Sequence, residues 1–171
     1  YTRNFRDRDV GTGNPYLDVY HIAWQNAFQT TDRDKALADC AAMGLDAEWR
    51  ADGSLSAAYR ARGLIDHPAT GERLWFNQIA TQQMNARNGG EHYPQFVAHY
   101  GGERPWPFAV SFGDGEPFPG EWMDALYTAL DAHEVRAPWS QGDVMLIDNY
   151  RTAHGRNVFS GLRDIQVSLF G

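Results

Sequence analysis

Two residues near the end of the chain have types and spacing that suit chemistry: His154 and Arg163, in "DNYRTAHGRNVFSGLR", residues 148–163. A histidine offers an imidazole nitrogen to a metal, and it sits here just past an apolar run, "VMLI", and the turn-prone "DNY". Otherwise it is a structural or exposed side chain, because a metal site needs several convergent ligands. Arg163 opens "RDIQVSLF", in which Arg163, Ile165, Val167 and Leu169 alternate with Asp164, Gln166 and Ser168. That period of two predicts a strand with one apolar face, and the arginine lies on that face. A guanidinium keeps its proton, so burying it without a counter-charge costs several kcal/mol or more. Two outcomes avoid the cost. The side chain reaches the rim at the strand end, or an anion meets it inside, and a carboxylate matches its planar fork best. No acidic residue shares its strand face, so that anion comes from elsewhere in the chain or from a ligand. A histidine at one strand mouth and an inward arginine on the next strand suit a metal chelated by a carboxylate-bearing cosubstrate.

The elements that must position these residues follow from pattern. "YTRNF" reads as a short strand and residues 6–16 as a loop. "TTDRDKALADCAAMG" has a helix start, with Thr31 and Asp34 resembling a capping box, a shared face of Leu37, Cys40 and Ala41, and Gly44 as its stop. "AEWRADGSLSAAYR" predicts two strands joined by a turn at Asp52-Gly53. "HPATGERLWFNQ" is a turn entering an aromatic strand over residues 74–77, in which Trp75 and Phe76 are expected in the core. Residues 78–100 fit a helix or an ordered loop; His92 and His99 would share a helix face, although Pro94 lies between them. Residues 101–120, rich in Gly, Pro and aromatics, read as a long loop of the kind that serves as a lid. "GEWMDALYTALDAHE" predicts a helix with Met123, Leu126, Tyr127 and Leu130 at helical spacing. Residues 144–147 predict a buried strand, and Asp148 and Asn149 a turn. The class is α+β with an antiparallel β core.

Composition bounds the function. The chain has 171 residues, 43% hydrophobic and 22% charged, enough for one domain with a core. A net charge of −7 argues against nucleic acid and anionic membrane as partners. A single cysteine, Cys40, gives no internal disulfide framework and fits a reducing, cytoplasmic setting. No apolar run approaches the roughly 18 residues a membrane helix needs.

"GDVMLIDN…TAHGR…FSGLR" resembles the C-terminal motif of the TauD/TfdA-like Fe(II)/2-oxoglutarate oxygenases, the clavaminate-synthase-like superfamily. "YTRNF", "FQTTDRDKALADCAAMGLDAEWRADGSL" and "HPATGERLWFNQ" resemble other segments of it, notably in members from natural-product clusters. The resemblance implies a double-stranded β-helix, or jelly roll, with flanking helices. It implies Fe(II) held by a His-x-Asp/Glu pair and a distal histidine, which His154 matches. It implies 2-oxoglutarate held by an arginine, which Arg163 matches. Some members carry a second arginine four residues later for an acidic substrate group; here that position is Val167, which disfavours a sulfonate held in that way. Arg156 is a candidate outer hydrogen-bond donor to the metal site, or a surface arginine. Asn77 is a candidate for orienting a cosubstrate or substrate, or a strand-end amide bonded to backbone.

One departure is clear. His21, His67, His92, His99, His133 and His154 are followed two places on by Ala23, Ala69, Pro94, Gly101, Val135 and Arg156, so none forms a His-x-Asp/Glu pair. The family carries that pair upstream of a segment like "YTRNF". Residues 1–171 are therefore expected to be the C-terminal part of one oxygenase domain, completed by an N-terminal half with the other ligands. The implied reaction is hydroxylation of an unactivated C–H bond in a small molecule, an amino acid or natural-product intermediate, free or tethered to a carrier protein. The alternatives are a halogenase of the same fold, in which a small residue replaces the iron carboxylate, and a non-catalytic jelly-roll binding module.

Overall fold

The computed structural model describes residues 1–102, 104–162 and 164–169. Its centre is a four-stranded antiparallel sheet. Strand β1 (Thr2–Phe5) lies beside β3 (Leu55–Ala58), which pairs in turn with β2 (Asp46–Trp49); the two-residue β6 (Phe108–Ala109) flanks β1 on its other edge. Phe5 faces Leu55, and Leu55 faces Trp49, so alternation puts Phe5, Leu55, Ala57, Ala47 and Trp49 on one face. The predicted turn joins β2 to β3, with Gly53 at φ 81°, a left-handed conformation that favours glycine.

Helix α3 (Arg33–Ala42) covers that face. Its start is capped by Asp32, which accepts from the N–H groups of Asp34 and Lys35, rather than by Thr31. The carboxylate one residue nearer reaches the free N–H groups directly. Ala36 and Cys40 are fully buried and Leu37 is half-buried, whereas Ala41 faces water. Helix α2 (Trp24–Ala27) adds Trp24, whose ring meets Trp49 edge-on at 5.0 Å. Together with Phe5, Leu55 and Ala57 these residues make the first core cluster.

A second cluster is more aromatic. Helix α1 (Pro15–Tyr20), capped by Asn14, supplies Leu17, and α6 (Tyr93–Tyr100) supplies Phe96 and Tyr100; Met84 joins them, with Trp106 and Phe108 alongside. The short helices α4 (Ile79–Gln82) and α5 (Ala86–Gly89) precede α6. Residues 78–100 are thus largely helical, and Pro94 occupies the first turn of α6, where its missing N–H costs nothing. His92 stacks on Tyr16, and His99 lies against Arg104, so they serve no common face. Residues 110–117 fold back on themselves by a Ser111–Pro117 bridge, and Phe112 and Phe118 pack on Trp122 of α7 (Gly120–Ala132).

His21, buried against Tyr100 of the second cluster, carries a pH signature. Its Nδ1 lies 3.0 Å from the Tyr100 hydroxyl, and its Nε2 is buried with no hydrogen-bond partner among the described residues. Burial holds Tyr100 near its neutral form, with its pKa raised to about 12, so the hydroxyl donates and Nδ1 accepts. Burial, with Arg6 and then His99 adding to it and Asp18 opposing, pushes the His21 pKa down to about 4. In the unfolded chain the ring titrates near 6.5. The unfolded state therefore binds the extra proton first as pH falls. Stability is full above about pH 6.5 and drops by about 3 kcal/mol toward pH 4. Urea unfolding at stepped pH is expected to show this slope, and His21→Asn to flatten it; an equal slope in both proteins would assign the acid sensitivity elsewhere.

The expectations for the C-terminal third are corrected. No strand forms over residues 144–147, where Val144 is 94% and Leu146 79% exposed. Residues 164–169 are likewise irregular, with Val167 and Leu169 largely exposed. A strand is stable only with backbone partners on an edge and a layer on its apolar face, and here these residues have neither among the described ones. Trp75 and Phe76 are exposed rather than in the core, at 49% and 39%. No helix among the described residues is long and apolar enough to cross a membrane.

Candidate cofactor site

The site region is built on a two-stranded hairpin. Strands β4 (Leu64–Asp66) and β5 (Arg73–Trp75) pair antiparallel, and the turn between them closes with His67 and Glu72 joined through backbone and Gly71 at φ 71°. His67 opens this turn and is 8% exposed. Its Nδ1 accepts from the backbone N–H groups of Ala69 and Thr70, at 3.2 and 3.1 Å. The ring proton therefore sits on Nε2, which donates to Asp148 Oδ2 at 3.1 Å.

Asp148 is the turn former expected from sequence and also more than that. Its Oδ1 accepts from the Tyr150 N–H, and its carbonyl from Arg151 and Thr152. Partial desolvation works against the carboxylate, but the Tyr150 N–H and the His67 ring outweigh it and hold the carboxyl below the usual range. Tyr150 lies edge-on to the His67 ring at 5.5 Å and stacks on Phe76 at 5.3 Å. Arg151 reaches Glu72 at 2.5 Å, Thr70 Oγ1 at 3.3 Å and Asp148 at 3.6 Å. Residues 148–151 are thus docked on the β4–β5 hairpin by one partly buried hydrogen bond, one ring stack and one exposed ion-pair cluster. The ion pairs, being exposed, are the weakest of the three.

His154 follows three residues after Arg151 and is exposed. Arg156 is also exposed, and its guanidinium lies over the Phe159 ring at 5.3 Å. Arg163 lies outside the described residues. Asn77 sits two residues past β5; its Nδ2 donates to Gly63 O at 3.0 Å and its Oδ1 accepts from the Ile79 N–H at 3.1 Å. Its amide is spent on the backbone at the foot of the hairpin. The shallow apolar depression lined by Tyr1, Phe5, Phe28 and Leu45 contains none of these residues.

The donor set decides what the region holds by itself. The described residues contain no group of three or more His, Cys, Asp or Glu side chains able to hold a metal ion. One imidazole suits iron as a donor but does not make a site, which needs at least the two further donors of a facial triad. Sequence pattern points to His154 and carries no sign of the attachment next to it. His67, Phe76 and Tyr150 carry no motif signal alone, and a histidine that accepts from two turn N–H groups does a task usually read from Asp, Asn, Ser or Thr.

Residues 19–169 match the family described as taurine catabolism dioxygenase TauD, TfdA family. The chain is 31% identical over 165 residues to the dapdiamide synthesis protein DdaC of Enterobacter agglomerans, covering 96% of this chain and 50% of that protein. It is 30% identical over 150 residues to the clavaminate synthase-like protein At3g21360 of Arabidopsis thaliana, covering 85% of this chain and 41% of that one. It spans about half the length of these relatives. Members of the family are Fe(II)/2-oxoglutarate dioxygenases as a class. With its match running from α1 through His154 to residue 169, the chain belongs to the TauD/TfdA family.

Proposed function

We propose that this chain contributes the distal iron-ligating histidine, His154, and the cosubstrate-binding arginine, Arg163, to an Fe(II)/2-oxoglutarate-dependent oxygenase. The observation that carries the reading is the family match across residues 19–169, a range that spans both residues. The chemistry of the pair supports it. An imidazole is a good iron donor, and a guanidinium binds a carboxylate through two parallel hydrogen bonds. Asn77 and Arg156 are the remaining candidates near the cofactors, Arg156 the more available because its side chain is exposed. Fe(II) and 2-oxoglutarate together supply the oxygen chemistry that no protein side chain supplies. The other iron ligands lie outside the described residues. A double-stranded β-helix would supply a layer over the faces that Val144, Leu146, Val167 and Leu169 expose here.

The reaction is hydroxylation of an unactivated C–H bond in an amino acid or natural-product intermediate, free or carrier-tethered, in the cytoplasm. The similarity to DdaC, a dapdiamide synthesis protein, supports a biosynthetic substrate. The full protein, given Fe(II), oxygen and 2-oxoglutarate with a panel of amino acids in free and carrier-bound form, is expected to convert 2-oxoglutarate to succinate. No succinate above the metal-free control across the panel would contradict the proposal.

A further inference from the structure

We infer that His67 and Asp148 are positioning residues, a clasp that fixes the turn from which the His154 segment departs. The inference rests on the reading of His154 as a ligand, but its evidence is separate. The clasp joins residues 81 positions apart through a nearly buried histidine whose three hydrogen bonds are all satisfied within the protein. Both ends of the ring are committed. Nδ1 is held by the turn of its own hairpin, which leaves Nε2–H aimed in a fixed direction at Asp148. Asp148 is equally committed, since its other oxygen shapes the turn at Tyr150. His67 is thereby removed from the pool of metal donors and acts as a strut.

The need for a strut follows from what comes next. After Thr152 the described residues form no helix or strand, and Val158 and Leu162 are fully exposed. A ligand on such a segment must be held within about half an ångström to bind with full strength. The nearest fixed point is this turn, with Tyr150 wedged against His67 and Phe76. Releasing it lets the imidazole of His154 sample positions that do not meet a metal, and ordering it again is a cost taken from metal affinity.

Three variants separate this role from a general packing role. Asp148→Asn keeps an oxygen for the Tyr150 N–H but turns an N–H₂ group toward Nε2–H, so two donors face each other. His67→Ala removes the strut. His67→Gln restores an N–H donor near the position of Nε2–H. Two readouts are made on the full protein: amide hydrogen exchange over residues 148–154 without metal, and affinity for Co(II) as a spectroscopic stand-in for Fe(II). Asp148→Asn and His67→Ala are expected to speed exchange there by about 10-fold and to weaken Co(II) binding by about 10-fold. His67→Gln is expected to recover most of both. Unchanged exchange in Asp148→Asn overturns the clasp. Faster exchange with unchanged Co(II) affinity overturns the positioning role and leaves the ligand reading of His154 intact. Absence of Co(II) binding in the parent protein overturns the ligand reading itself, and with it the positioning role, while the exchange data still report whether the clasp exists. Should His67→Ala fail to fold, Asp148→Asn, altered at a half-exposed side chain, decides the matter.

Discussion

Changing Arg163 to leucine is expected to raise the 2-oxoglutarate concentration needed for half-saturation by at least about 30-fold, with Fe(II) binding little altered. The size follows from the pairing. Truncating one partner of a desolvated, hydrogen-bonded charge pair costs about 2–5 kcal/mol, and each 1.4 kcal/mol is tenfold in affinity. The asymmetry follows from location. On the proposed reading the arginine would meet the far carboxylate of the cosubstrate, while other groups hold the metal. Leucine keeps an apolar side chain in the alternating sequence pattern of residues 163–169, and thermal unfolding of the variant is expected to match that of the parent. Arg163→Lys is expected to fall between, because an ammonium keeps the charge but loses the planar two-point contact. An unchanged requirement in the leucine variant would refute the role assigned to this residue.

The second large effect is on the metal. His154→Ala is expected to weaken Fe(II) binding by more than about 100-fold, beyond the range seen when only a ligand's supporting partner is lost. His154 is exposed in the described structure, so its removal leaves no cavity and buries no unpaired group. Thermal unfolding of the metal-free variant is therefore expected to match that of the parent. Equal iron affinity in the two proteins would return His154 to the ordinary surface histidines.

Much of the architecture was legible because it rests on local rules. The antiparallel pair β2–β3 was marked by Asp52-Gly53, and α7 by the spacing of Met123, Leu126 and Tyr127. The cap of α3 lies one residue past the Thr31 that the pattern suggests, because the adjacent Asp32 carboxylate reaches the free N–H groups. Residues 144–147 and 164–169 show the limit of periodicity. An alternating or apolar run records that a face is meant to be covered, but not what covers it, and here the described residues do not. Aromatic type alone favours a core place for Phe76; it is instead the half-exposed platform on which Tyr150 stacks. The His67–Asp148 contact was invisible for a different reason. It joins positions 81 apart through one hydrogen bond, and neither residue belongs to a pattern that names the other.

The proposed site is one in which a metal and a dicarboxylic acid meet between His154 and Arg163. Anaerobic addition of Fe(II) and then 2-oxoglutarate to the full protein, followed in the visible region, tests it most directly. A weak charge-transfer band that needs both additions is expected, lost in His154→Ala and shifted to higher 2-oxoglutarate in Arg163→Leu. A parent protein that develops no band, or a band indifferent to both substitutions, would contradict it.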